Sequence, residues 1–183
     1  MNTLAVTTFL ALLALAAAAG ALGLLLWAAA ARFAVRPAEA LHSARVGLRP
    51  IVLWLPFAVA LVSTLGSLYL SEVARFVPCT LCWYQRIAMY PLALLLGIAA
   101  LRGDVAVRRY FVPVAGIGAL IAAYHVALQR LPSLPSGTCS LDVPCSAIYA
   151  ERFGFVTIPV MALIGFVAIV VTLTELVPKE TSS

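Results

Sequence analysis

Charged and strongly polar positions divide this chain into five long apolar runs. The first extends from about Leu4 to Ala31 without a charge, and the second from about Ile51 to Ser71, ending at Glu72. The third starts near Leu81 and ends before Arg102 with only Arg86 inside it, and the fourth covers about Tyr110 to Gln129. The fifth runs from about Phe155 to Val177, with Glu175 near its end. A helix rising 1.5 Å per residue needs about 20 apolar residues to cross about 30 Å of hydrocarbon, so each run predicts one membrane crossing. Glycines and prolines lie within or beside these runs, which membrane helices tolerate because neighbouring helices re-satisfy a broken backbone.

Composition agrees with a chain that lives in lipid. Of 183 residues, 64% are hydrophobic and 10% charged, whereas a soluble domain carries roughly a quarter charged residues. The first run is too long for the apolar core of a cleaved signal, and Met1, Asn2 and Thr3 supply no positive leader, so a retained helix is expected. Orientation follows from the arginines, because positively charged loops resist translocation. Arg32, Arg36, Arg45 and Arg49 follow the first helix and Arg102, Arg108 and Arg109 follow the third, which puts both connections in the cytoplasm. The loops carrying Arg75 and Arg152 then face outward, with the N-terminus outside and Lys179 inside. The formal net charge of +5 thus reports topology and contact with anionic lipid rather than nucleic acid.

This orientation, derived without the cysteines, puts all four of them on the outer side. Cys79 and Cys82 form a C-x-x-C at the start of the third helix, and Cys139 and Cys145 lie in the other outer loop. Three chemistries suit such a set. Two disulfides can staple short extracellular loops, four thiolates can hold zinc, or the pairs can exchange disulfides. The setting of the C-x-x-C favours exchange, since a helix N-terminus and a nearby cation both stabilise a thiolate. Cys82 and Arg86, four residues apart, share a helix face, with Arg86 about 6 Å deeper along the axis. An arginine inside a membrane helix is costly and calls for a partner, such as a quinone oxygen gaining charge on reduction; the plain alternative is a side chain snorkelling to head groups.

The run PCTLCWYQRIAMYPL, with YHVALQRLPS, the Cys139/Cys145 loop and GFVTIPVMALIGF, resembles the DsbB/BdbC family of disulfide bond formation proteins over about Pro50 to Val177. The resemblance implies an all-α membrane protein with a four-helix transmembrane bundle over 50–178. An extra N-terminal helix and basic cytoplasmic loop (1–49) precede it, and a short tail (179–183) follows. It also implies an enzyme of the bacterial cytoplasmic (inner) membrane that reoxidises a DsbA-like partner of thioredoxin fold and passes electrons to ubiquinone or menaquinone. By position, Cys82 is then the thiolate beside the quinone ring, Arg86 the quinone-binding cation and Cys79 the disulfide partner of Cys82. Cys139 is the sulfur attacked by the partner, and Cys145 relays electrons to Cys79. His125 falls where the family has a histidine near the quinone, although a lone histidine can equally be one satisfied within the bundle. A strongly oxidising partner needs an acceptor beyond another ordinary dithiol, hence the quinone.

Two features depart from the family pattern: the short Cys139 to Cys145 spacing, nearer the Gram-positive type, and the extra first helix, for which packing is the default role. Leu131 to Thr138, rich in Pro, Ser and Gly, is expected to lack regular structure. Cys145 to Phe153 suggests a short interfacial helix, or else an irregular loop with aromatic anchors. The competing functions are a vitamin K epoxide reductase-like enzyme, which lacks the W-Y-Q-R run, and a metal-binding or merely stapled membrane protein.

Overall fold

The computed structural model describes residues 2–33, 43, 47, 51–131, 134, 137, 139, 140 and 142–177. The basic connection with Arg36, Arg45 and Arg49, most of Leu131 to Thr138, and the tail with Lys179 lie outside the described residues. Five helices are long and apolar enough to cross a membrane, which makes this an all-α, multi-pass membrane protein. They are α1 (Thr3–Phe33), α2 (Trp54–Leu68, prolonged by a π-helical turn Tyr69–Val73), α3 (Thr80–Arg102), α4 (Arg108–Arg130) and α5 (Ile158–Glu175).

Local chemistry sets their ends. At the start of α3, the Cys79 side chain accepts the Cys82 backbone N–H, capping one of the donors that every helix start leaves unpaired. At its end Gly103 takes φ 65°, a left-handed conformation cheap only for glycine, and returns its N–H to the last turn. Asp104 then caps the short 3-10 turn Val105–Val107 that leads into α4.

The core lies among α2, α3, α4 and α5, where Leu92, Leu96, Phe166, Ile169 and Leu173 are buried together. Lipid supplies no hydrophobic drive between helices, so close approach at small residues holds them. Gly118 of α4 faces the Phe166 ring, and a Cβ there would overlap it. Gly97 of α3 likewise lies against Phe57 of α2. Helix α1 stands outside this bundle: 11% of its best apolar window is buried, against 44% for α5. It packs on α5, with Ala17, Ala21 and Leu24 against Ala168 and Val171.

Cys145 to Phe153 forms no helix, which corrects that expectation. A turn at Cys145 and Ser146 leads to a two-stranded hairpin, β1 (Glu151–Arg152) paired antiparallel with β2 (Val156–Thr157). Phe153 at φ 54° and Gly154 at φ 75° reverse the chain, a backbone state that stops helix propagation. For the same reason α5 starts at Ile158, with Pro159 in its first turn, rather than at Phe155. The hairpin lies at the same end of the bundle as the N-terminal end of α1, because Arg152 Nε and Nη2 donate to Thr7 Oγ1 at 3.0 and 2.6 Å.

The Gly118 contact makes a stability prediction. Gly118→Val drives two methyl groups into a buried ring and is expected to cost about 1–3 kcal/mol, the usual range for overpacking. Gly116→Ala, where a Cβ meets nothing within 4 Å, is expected to be neutral or slightly stabilising. Thermal unfolding of the two variants in detergent checks the pair.

Candidate active site

Both cysteine pairs gather at one end of the bundle. Cys79, Leu81, Leu128 and Cys145 form a buried cluster, with Cys82 and Cys139 packed against it. Cys139 and Cys145 are joined by a disulfide with Cα atoms 5.9 Å apart. Cys79 and Cys82 are unbonded, with sulfurs 3.0 Å apart. The disulfide removes two of the four thiolates a zinc site would need. Cys79, Cys82 and His125 are the group of potential metal donors found among the described residues.

His125 of α4 sits between the pairs. Its Nε2 lies 3.0 Å from the Cys145 carbonyl and 3.7 Å from Cys79 Sγ. A carbonyl can only accept, so Nε2 carries the proton and Nδ1 accepts from Gln85 Nε2 at 3.0 Å. One buried imidazole therefore ties the start of α3 to the second cysteine loop. The resemblance implies a histidine near the quinone here; in the structure Gln85 and the Cys145 carbonyl hold the two nitrogens of His125, with Cys79 Sγ alongside.

The second loop is fastened to the end of α4. Gln129 donates to the Ala147 carbonyl and accepts from Thr157 Oγ1, and Arg130 donates to the Phe155 carbonyl and pairs with Glu151. Phe76 stacks on Tyr149 with centroids 5.9 Å apart, joining the two cysteine-bearing loops. Gln129 and Arg130 lie in the YHVALQRLPS run and Phe155 and Thr157 in GFVTIPVMALIGF, but the runs alone do not say that they pair.

Electrostatics separate the two sulfurs of the C-x-x-C. Either thiol can donate to the other, but the Cys82 backbone N–H and the His125 Nε2–H both point to Cys79. In the reduced pair the Cys79 pKa falls to about 4, chiefly through the hydrogen bond from the Cys82 thiol, with burial opposing it and the bonds from His125 and the helix N-terminus assisting. The expectation from the resemblance places the thiolate at Cys82, whereas in the reduced pair these donors favour it at Cys79.

Cys82 instead faces a cavity of about 270 Å³ between α1, α2, α3 and α5, near the lower bound of about 300 Å³ typical of small-molecule sites. Gln85 and Arg86 line it with Cys82, whereas Cys79 and His125 do not. Arg86 has the partner an intramembrane arginine requires. Its Nη2 donates to the Ser67 carbonyl at 3.1 Å, just before the π-helical turn, and its guanidinium lies 5.2 Å from the Trp83 ring centroid. Tyr90 OH donates to Ser67 Oγ and supports the same corner. The π-helical turn that ends this span is of a kind found frequently at functional sites.

The Cys79 environment predicts a titration. Ultraviolet thiolate absorbance of the reduced protein should persist as pH falls below the ordinary thiol value of about 8.5 and disappear through about pH 4. Cys82→Ala should move that midpoint up furthest and His125→Leu by less; an unchanged midpoint in both contradicts the assignment.

A family model described as disulfide bond formation protein DsbB matches residues 49–176. The chain is similar to disulfide bond formation protein C of Bacillus subtilis, 50% identical over 125 residues, covering 67% of this chain and 90% of that protein. Probable disulfide formation protein C 1 of Bacillus cereus is 48% identical over 120 residues, covering 65% of this chain and 86% of its own. A probable disulfide formation protein of Oceanobacillus iheyensis is 43% identical over 123 residues, covering 66% and 83%. No solved structure matches the chain significantly.

Proposed function

The chain belongs to the DsbB family of disulfide bond formation proteins, membrane disulfide oxidoreductases, and from that premise we propose that it reoxidises a DsbA-like thioredoxin-fold partner and delivers the electrons to ubiquinone or menaquinone. The proposed setting is a bacterial cytoplasmic membrane with both cysteine pairs on its outer face. One observation carries the reading. The C-x-x-C bridges two environments, with Cys82 on a lipid-side cavity beside Arg86 and Cys79 buried with Cys145 of the outer loop.

The residues around the cavity suit a quinone. Arg86 carries five N–H donors, of which one bonds Ser67, so donors remain for an oxygen that gains charge. The other walls are mostly apolar, as a prenyl tail requires. When bound, a quinone supplies a two-electron, two-proton acceptor.

Thiol exchange among the protein's own sulfurs accounts for the rest. A thiolate of the reduced partner attacks Cys139 and breaks the Cys139–Cys145 bond, releasing Cys145 as thiolate. With Cys79 and Cys82 in their disulfide-bonded state, Cys145 attacks Cys79, breaking the Cys79–Cys82 bond, forming Cys145–Cys79 and releasing Cys82 as thiolate toward the cavity. The partner's second thiolate resolves its bond to Cys139 and leaves oxidised. Cys139 then attacks Cys145, restoring the outer disulfide and expelling Cys79. A sulfur with a depressed pKa leaves readily, and the bonds from Cys82 and His125 provide this at Cys79. One disulfide has been transferred outward, and Cys79 and Cys82 hold the two electrons until they re-pair.

Purified protein supplied with a reduced DsbA-like donor is expected to reduce quinone. Cys82→Ser should abolish turnover, and Arg86→Ala should raise the apparent KM for quinone about tenfold, the loss of about 1.4 kcal/mol of binding. Absence of turnover with both quinone types, in folded native protein, refutes the proposal.

A further inference from the structure

We infer that α1, which lies outside the segment shared with the family, forms the wall against which the apolar tail of the quinone runs, and so selects for tailed quinones. The inference rests on the quinone reading above and adds to it a role for the helix that precedes the matched residues 49–176.

Leu10, Leu13, Ala14 and Ala17 all line the cavity that Cys82 and Arg86 share. Their spacing of three, four and seven residues places them on one helix face. Helix α1 is seated on either side of this stretch. Toward its N-terminal end, Leu10 packs on Gly66 of α2, where a Cβ would come within 3.0 Å of its methyl carbons, and Thr7 accepts from Arg152. Toward the other end, Ala21 and Leu24 pack directly on α5. Between these seats Ala14 presents only a methyl group to the cavity, and Ala17, packed on α5, borders it.

The occupant follows from the lining. Polar groups converge where Cys82, Gln85, Arg86 and Ser67 meet, and the remaining wall, contributed by α1 with residues such as Val59, Val62 and Met161, is apolar. A ring alone would use the first part and leave the second unfilled. An amphiphile with an electron-accepting head and a hydrocarbon tail fills both, whereas a phospholipid has no group for the reducing sulfur.

The test uses the full-length protein in detergent and a quinone with a photoreactive group on the first carbons of its tail. Irradiation is expected to label the peptide containing Leu10 to Ala17, with labelling abolished by excess unlabelled tailed quinone. Ala14→Phe and Ala17→Phe should raise the KM for a tailed quinone about tenfold more than that for the tail-less ring, the size of effect that small changes in an apolar pocket produce. Labelling confined to α2–α5, labelling not displaced by quinone, or an equal rise for both quinones overturns the inference. Ring reduction by the native protein distinguishes the two failures: if it persists without label in α1, only the role of α1 is lost, and if it is absent, the quinone reading falls as well.

Discussion

A neutral imidazole buried among apolar helices must find a partner for each ring nitrogen, because an unpaired buried polar group costs about 1–3 kcal/mol. At His125 those partners are Gln85 on α3 and the Cys145 carbonyl in the second loop. Satisfying one side chain therefore fixes the C-x-x-C helix, the α4 helix and the Cys139–Cys145 loop relative to one another. The leftover reach of the Nε2 proton falls on Cys79, so the contact that assembles the site also polarises it.

Arg86 acts as a second fixed point on the opposite flank of the same helix turn. Its charge is accommodated inside lipid by a backbone carbonyl and an indole face rather than by an acid. A carboxylate partner would neutralise the guanidinium, whereas a carbonyl leaves its net charge available to whatever enters the cavity. The two sulfurs three residues apart are thus served by different groups, one by an imidazole and a helix start, the other by a cavity with a cation in its wall.

Much of this was legible in the chain. Runs of 20 or so apolar residues give helices almost regardless of detail, and the five expected spans match the five helices to within a few residues. The arginine pattern and the cysteine positions agree with two pairs gathered at one end. What escaped notice depended on partners distant in sequence or on backbone detail. The Phe153 and Gly154 reversal turned an expected helix into a hairpin, and nothing around Tyr69 announces a π turn. The contact of Cys79 with His125, 46 residues away, is not signalled by the C-x-x-C itself. The part played by α1 was invisible because alanines and leucines look alike whether they face lipid, protein or a cavity.

The tie between Arg152 and Thr7 has a consequence for how the protein is made. Of the five helices α1 leaves the ribosome first and its neighbour α5 last, and the polar anchor of α1 lies in the hairpin that immediately precedes α5. Apart from the Leu10 contact with Gly66 of α2, α1 consequently lacks its seat until α5 has been made. It must wait in the bilayer with most of its packing face unmet while the other helices are threaded beside it, and the cavity acquires its last wall only when α5 is in place.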